Sequence, residues 1–276
     1  MAKRIASTLV LWVLLLAVLW FFRTPGAVAL IVAISVLTLR EFYRLMAGTG
    51  SEPFVALGLL FGGLITAAPW VEVRYGLPAY PLLALATVVF SCCILAGREP
   101  DRRVDALGST LFGLVYVSLL LGYLVRIVTP VPGEPLAPDG RLILCLWVVA
   151  VSKFCDVGAL LTGLALGRHP MAPKTSPKKT WEGAVGGVVV SMGVGAGVAW
   201  LGRGLLPASL TPLHAALVAA PLAVVAIVSD LIESVLKRRA AIKDSGGGVP
   251  GIGGIFDLSD SLILTAPVAF FLLGLG

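Results

Sequence analysis

Charged residues are scarce in this chain of 276 residues: they make up 13% of it, whereas hydrophobic residues make up 58%. A soluble domain carries about a quarter charged residues and about half apolar ones. The mean hydropathy of +0.99 agrees with this excess of apolar residues. The composition excludes a water-soluble globular enzyme and a disordered protein. It indicates a polytopic membrane protein whose helices contain about 20 apolar residues each.

Cysteine and histidine are also few. The chain has four cysteines and two histidines, and they lack the C-x-x-C and H-x-x-x-H spacings of metal and redox motifs. A zinc site and a disulfide scaffold are therefore not expected. The formal net charge of +6 fits a membrane protein that contacts anionic lipid on its cytoplasmic side, and no nucleic-acid partner is expected.

Apolar segments between polar breaks predict an all-α membrane helix bundle of about nine transmembrane helices. The segments are Ile5–Phe22, Ala27–Ala47, Phe54–Trp70, Leu77–Ala96, Leu107–Val128, Leu142–Leu166, Gly183–Leu201, Leu213–Leu236 and Ser259–Leu275. The first is longer than the apolar core of a typical signal peptide, which has about 7–15 residues, and this favours an uncleaved helix. We expect two regions: residues 1–140, with the amino-terminal helices, and residues 141–276, which carry the chemistry.

Lysine and arginine are distributed unevenly among the polar connectors. With the amino terminus in the cytoplasm, most of them fall on the cytoplasmic side, as the positive-inside rule requires. The connectors 98–105, 168–182 and 237–259 then face the cytoplasm. We therefore predict a multi-pass membrane protein whose amino terminus and active site are both cytoplasmic.

Several charged residues lie inside the apolar segments, where an aspartate or lysine costs about 2.5–3.5 kcal/mol on insertion scales. Lys153 and Asp156 are three residues apart in the sixth segment, so they form either a structural ion pair or part of a cavity wall that meets a charged substrate. Asp230, Ser234 and Lys237 share one face of the eighth. An ordinary basic helix end explains Lys237 but does not explain Asp230.

Glycine and proline are concentrated in residues 243–254, where they occupy seven of twelve positions. Successive backbone N–H groups in such a segment can bind phosphate, although a flexible linker has a similar composition. Asp257 and Asp260 follow, three residues apart. Two carboxylates beside a phosphate-binding loop suit a Mg²⁺ ion shared with substrate phosphates, while helix capping is the alternative role for either one.

The connector before the seventh segment reads Ser176–Pro177–Lys178–Lys179–Thr180–Trp181–Glu182–Gly183 and is followed by Gly186–Gly187. Positive-inside anchoring accounts for its lysines. The alternation of hydroxyl groups, lysines and one glutamate is also suited to binding a lipid headgroup or a triphosphate.

These stretches resemble the motifs of the phosphatidate cytidylyltransferases, or CDP-diacylglycerol synthases. The connector just described resembles that family's internal motif. The run from Ser234 to Asp260 is similar to its signature, which reads S-x-x-K-R-x(4)-K-D-x-G, then a Pro-Gly-x-Gly-Gly turn, then D-x-x-D. Together the two motifs cover about the last 120 residues, so the resemblance is carried by the carboxyl-terminal region.

The resemblance implies that the protein converts CTP and phosphatidate, or a related anionic lipid, into CDP-diacylglycerol and pyrophosphate with Mg²⁺ as cofactor. It also implies a multi-helix membrane fold with a polar cavity, and homodimers occur in the family. The implied metal ligands are Asp230, Asp257 and Asp260, and the implied catalytic residues also include Lys237 and Lys243. Nucleotide and headgroup binding is implied for Ser176, Lys178, Lys179, Thr180, Glu182, Ser234, Arg238 and Asp244.

The chain departs from the family pattern at three positions. Ile252 stands where the family usually has histidine, Leu258 stands where it has arginine, and Ser229 stands where it has glycine. Three alternatives stay open: a CTP-dependent polyprenol or phytol kinase, a transporter or lipid-binding membrane protein, and an inactive relative that only binds lipid or a partner. Ile252 and Leu258 support the inactive relative. Inverted repeats would favour the transporter, but the charged residues of the candidate motifs all lie in the later half of the chain.

Overall fold

The computed structural model describes residues 2–95, 100–134, 136–242, 245–246 and 253–275, and these are nearly all helical. The helices are α1 (Ala2–Gly48), α2 (Val55–Tyr75), α3 (Pro81–Cys93), α4 (Pro100–Gly113), a π-helix (Leu114–Leu119), α5 (Leu120–Val128), α6 (Pro138–Leu166), α7 (Trp181–Leu201), α8 (Pro212–Arg239) and α9 (Ile255–Leu272). Two short strands, β1 (Pro170–Ala172) and β2 (Ser176–Thr180), lie between α6 and α7.

Seven helices within the described residues are long and apolar enough to cross a membrane, so a count of nine is not confirmed. One reason lies in α1, which includes the first two predicted segments. Its backbone is non-helical at Arg23, with φ of 48° and ψ of −137°, and Pro25 follows two residues later. Proline lacks the N–H that would continue the helical hydrogen bonds, so α1 is kinked here.

The other reason is that α3 is short. Its 13 residues span about 20 Å at 1.5 Å per residue, whereas the hydrocarbon core of a bilayer is about 30 Å thick. Pro81 occupies the first turn of α3, where a missing N–H does no harm. Gly76 ends the preceding helix in a left-handed conformation, so α2 and α3 are separate elements.

The chain divides into two compact units. The first contains Met1–Thr129 and Leu236–Ser259, and the second contains Pro130–Val235 and Asp260–Gly276. In the first unit, Phe42 is fully buried and its ring contacts those of Tyr116 and Phe256, with centroids 6.3 and 6.2 Å away. The Tyr43 hydroxyl donates to the Thr110 carbonyl at 3.0 Å. Aromatic packing therefore connects α1, the π-helix and the first turn of α9.

The second unit packs through small residues. A Cβ atom at Gly158 or Gly187 would clash with atoms of the neighbouring helix, so glycine at these positions lets α6 and α7 approach closely, as is usual between membrane helices. Trp147 lies buried near the same contact and donates its indole N–H to the Gly195 carbonyl at 2.9 Å. The Ser191 hydroxyl donates to the Val151 carbonyl at 2.9 Å.

The connector that carries the first motif folds as a β-hairpin. Its strands pair antiparallel, with Pro170 opposite Thr180 and Ala172 opposite Ser176. Neither strand is long enough to show apolar alternation, so the sequence predicted only a polar connector at this place. The hairpin fixes the part of the chain that runs directly into α7.

Candidate active site

The predicted site residues fall into one group in each unit. The second unit holds Asp230, Asp260 and Ser234 together with the hairpin residues. The first unit holds Lys237, Arg238 and Asp257. Lys243 and Asp244 lie outside the described residues, as does Ile252 of the Pro-Gly-x-Gly-Gly turn.

Three carboxylates meet in the second unit. Asp230 and Glu233 lie on α8 and Asp260 lies on α9, and one ligand oxygen from each is within 4.8 Å of the others. Glu233 is 1% exposed and Asp260 is 7% exposed. Asp230 and Glu233 are three residues apart, so both carboxylates project from one face of α8. We call these three residues the acid triad.

Two lysines lie beside the acid triad. Lys179, on β2, forms an ion pair with Asp230. The Lys153 ammonium on α6 lies 3.5 Å from the Asp260 carboxylate and 3.6 Å from that of Asp156, and it donates to the Ser261 hydroxyl at 2.6 Å. Four carboxylates and two ammonium groups leave a formal charge of −2, so the cluster can accept a divalent cation.

Backbone and hydroxyl groups hold Asp260 in place. Its Oδ1 atom accepts from the backbone N–H of Ser261 at 2.5 Å, and its carbonyl accepts from the Ser229 hydroxyl. One turn further along α9, Thr265 forms a hydrogen bond with Ser152 of α6 at 3.1 Å. Because polar groups inside a membrane need partners, these hydrogen bonds stabilise α9 against α6 and α8.

Two residues of the predicted nucleotide-binding set stabilise the hairpin. The Thr180 hydroxyl caps α7 by accepting from the Gly183 N–H at 3.1 Å. Glu182 Oε2 accepts from the backbone N–H groups of Arg168 and His169 at 3.1 and 3.2 Å, and its Oε1 lies 2.5 Å from His169 Nδ1. These contacts hold Arg168 and His169, which precede β1, against the first turn of α7. The predicted role of Thr180 and Glu182 in nucleotide binding stays a prediction.

The remaining members of that set lie near these elements. On β2, Ser176 is half-buried and Lys178 is exposed. On α8, Ser234 is half-buried and Arg238 is exposed. The roles of all four residues stay predictions.

In the first unit, Asp257 accepts hydrogen bonds from three directions. Its Oδ1 accepts from the Lys237 ammonium at 2.8 Å. Its Oδ2 accepts from the backbone N–H groups of Gly254 at 2.7 Å and Ser245 at 3.2 Å. Asp257 therefore satisfies backbone donors at the start of α9, which is the capping role left open above. Its role as a metal ligand stays a prediction.

Sequence reasoning did not assign Glu233 or Lys153 to the site. The signal for Glu233 was present, because it follows Asp230 by three residues on the same helix face. Lys153 stood out as a charge inside an apolar segment, but its contact with Asp260 joins residues 107 positions apart. No local pattern identifies such a partner.

The model of the cytidylyltransferase family matches residues 2–275. A phosphatidate cytidylyltransferase of Synechocystis sp. is 29% identical over 91% of this chain and 88% of its own length. One from Mycobacterium leprae is 33% identical over 66% of this chain and 54% of its own length. Phosphatidate cytidylyltransferase 5, chloroplastic, of Arabidopsis thaliana is 30% identical over 91% of this chain and 65% of its own.

Proposed function

Because this chain belongs to the cytidylyltransferase family, we propose that it transfers CMP from CTP to phosphatidate within the membrane, giving CDP-diacylglycerol and pyrophosphate. Relatives from three kinds of organism carry the name phosphatidate cytidylyltransferase. The structural observation that carries the proposal is the acid triad with Lys153 and Lys179 beside it. α8 and α9, which bear the triad, are long and apolar enough to cross a membrane.

The proposed reaction joins two anions. A phosphate oxygen of phosphatidate attacks the α-phosphorus of CTP and forms a new P–O bond. The bond from that phosphorus to the oxygen bridging the β-phosphate breaks, and pyrophosphate leaves with the electron pair. No side-chain nucleophile is needed. Cations are needed, because they offset the repulsion between the reactants and stabilise the charge that develops on pyrophosphate.

The donor set of the acid triad fits Mg²⁺, which prefers carboxylate oxygens. The three ligand oxygens lie within 4.8 Å of one another, so small side-chain movements would let all three contact one cation. We therefore propose Asp230, Glu233 and Asp260 as the residues that hold it. When bound, the ion would supply positive charge next to the triphosphate.

Lysine side chains supply the positive charge that the protein itself contributes near the substrate phosphates. In the described structure the Lys179 ammonium neutralises Asp230, and we propose that it turns to a CTP phosphate when substrate is present. Lys153 stays with Asp260 and Ser261 and keeps that carboxylate in position. For Ser176, Lys178, Ser234, Lys237, Arg238, Lys243 and Asp244 we propose phosphate or headgroup contacts from the resemblance of the motifs alone.

We further propose that the amino terminus and the active site are cytoplasmic. The basic connectors support this orientation, and the lipid tails can stay in the bilayer while the headgroup meets CTP. Cysteine labelling from either side of sealed vesicles tests the orientation. A homodimer stays a prediction, which crosslinking in native membranes tests.

Isotope-labelled CTP tests the proposed reaction. Purified protein is reconstituted with phosphatidate and Mg²⁺ and is given CTP labelled in the α- or the γ-phosphate. We expect the α-label in lipid and the γ-label in pyrophosphate. A γ-label in lipid, with release of CDP, would instead identify a lipid kinase. No label in lipid from either substrate would favour a relative that only binds lipid.

A further inference from the structure

Glu41 is a buried carboxylate in the part of the chain that carries neither recognised motif. It lies near the carboxyl end of α1 and is 8% exposed. Because a buried carboxylate is costly unless its oxygens accept hydrogen bonds, its partners indicate why it is there.

Those partners lie on either side of the glycine-rich segment. Glu41 Oε2 accepts from the Ser245 hydroxyl at 3.0 Å and from the backbone N–H of Phe256 at 2.8 Å. Ser245 comes before all six glycines of residues 243–254, whereas Phe256 is the second residue of α9. One oxygen atom therefore connects two points of the chain that are 11 residues apart.

Close packing against this carboxylate explains two of the glycines. A Cβ atom at Gly254 would clash with Glu41 Oε2 and with the Ser245 hydroxyl, and one at Gly246 would lie 2.8 Å from Glu41 Oε1. A side chain at either position would therefore displace the carboxylate. Glycine is present here because the backbone must approach Glu41 closely.

A second carboxylate supports the same arrangement. Asp257 accepts from the N–H groups of Ser245 and Gly254 and is paired with Lys237. Glu41 and Asp257 together therefore hold Ser245 beside the first turn of α9. The same helix carries Asp260 three residues after Asp257.

We propose that Glu41 is a positioning residue of the enzyme: it fixes Ser245 and the first turn of α9, and thereby the Lys237–Asp257 pair. The proposal rests on the proposed function. The proposal gives the amino-terminal region a direct part in positioning the Lys237–Asp257 pair, although that region carries neither motif. Displacements of about 1 Å at a catalytic group can reduce turnover about a hundredfold, so the effect of losing Glu41 is measurable.

Three variants test this proposal: Glu41→Ala, Glu41→Gln and, as the control, Glu72→Ala. Glu72 is a matched carboxylate of the same unit, on α2, where it pairs with Arg126 at 3.3 Å. We expect Glu41→Ala to lower kcat between about tenfold and a hundredfold in monodisperse protein, while KM for phosphatidate stays unchanged. Glu41→Gln should keep most of the activity, because an amide oxygen can still accept both hydrogen bonds. Glu72→Ala should behave as wild type.

A Glu41→Ala variant with the kcat of Glu72→Ala would overturn the proposal, and so would a Glu41→Gln variant as impaired as Glu41→Ala. If Glu41→Ala does not fold, Ser245→Ala provides the test, because it removes the hydroxyl donor to Glu41 and leaves the carboxylate in place. We expect Ser245→Ala to lower kcat relative to Glu72→Ala while KM for phosphatidate stays unchanged, and a kcat equal to that of Glu72→Ala would contradict the proposal.

Binding of labelled CTP with Mg²⁺, measured by equilibrium dialysis, separates this inference from the proposed function. A wild-type protein that binds CTP but forms no CDP-lipid would refute the proposed reaction alone. Weaker CTP binding by Glu41→Ala than by Glu72→Ala would then still support the positioning role, and equal binding would refute it. A wild-type protein that neither binds nor reacts would count against both proposals.

Discussion

Replacing Asp260 by asparagine removes one charge from the acid triad and changes its volume very little. The Asp260 side chain is almost completely buried, and its carboxylate lies 3.5 Å from the Lys153 ammonium. Asp156, Asp230, Glu233 and Asp260 carry four negative charges against the two positive charges of Lys153 and Lys179. The substitution changes this formal charge from −2 to −1 and leaves the triad with two carboxylates.

The expected loss of turnover is large. Removing one group that stabilises charge in a transition state costs about 10²–10³ in kcat, or about 2.7–4 kcal/mol. The fold should survive, because asparagine has the same shape and the variant has less repulsion among the remaining carboxylates. At a Mg²⁺ concentration 100 times its Kd, the ion stabilises the wild type by about 2.7 kcal/mol, and Asp260→Asn should lose most of that gain.

Two assays on one preparation check these expectations. CDP-lipid formation gives kcat, and thermal denaturation with and without Mg²⁺ gives the stabilisation by the ion. Asp105→Asn is the control, because Asp105 is exposed at the start of a different helix, α4. The reasoning is refuted if Asp260→Asn turns over at the wild-type rate, or if Mg²⁺ raises its melting temperature as much as that of the wild type.

Substitutions at three further residues test other contacts of the site. Glu233→Gln should lower kcat by about a hundredfold and raise the Mg²⁺ concentration needed for half-maximal turnover; a wild-type Mg²⁺ titration would exclude Glu233 as a ligand. Lys179→Met should raise KM for CTP while Lys179→Arg retains affinity, which steady-state kinetics measures; equal KM values in both variants would contradict the proposed phosphate contact. Glu182→Ala should loosen the hairpin and raise KM for both substrates without changing the Mg²⁺ requirement, and an unchanged KM would leave Glu182 without that role.

Most of the fold follows from apolar segments in the sequence, because a helix in a membrane must satisfy its own backbone groups. The number of crossing helices does not follow as directly. The kink at Arg23 lies within one continuous element, and α3 is shorter than the apolar segment that contains it. The ends of helices depend on proline positions and packing, which hydropathy does not report. The hairpin was missed because strands of three and five residues are too short for a periodic signal.

The site was predictable where its residues lie close together in sequence. Helical spacing singled out Asp230 and the D-x-x-D spacing singled out Asp260, and the structure places their carboxylates within 4.8 Å of each other, beside Glu233. The pairing of Lys179 with Asp230 and the contact between Glu41 and Phe256 join distant parts of the chain. Such contacts arise from tertiary packing, so no local pattern in one sequence contains them.

Binding of Mn²⁺ reports directly on the acid triad, because Mn²⁺ replaces Mg²⁺ at oxygen sites and gives an electron paramagnetic resonance signal. We expect purified wild-type protein to bind Mn²⁺ without substrate, and we expect Glu233→Gln and Asp260→Asn each to weaken that binding while Asp105→Asn does not. Mn²⁺ binding that is unchanged when both triad residues are replaced together would contradict the account.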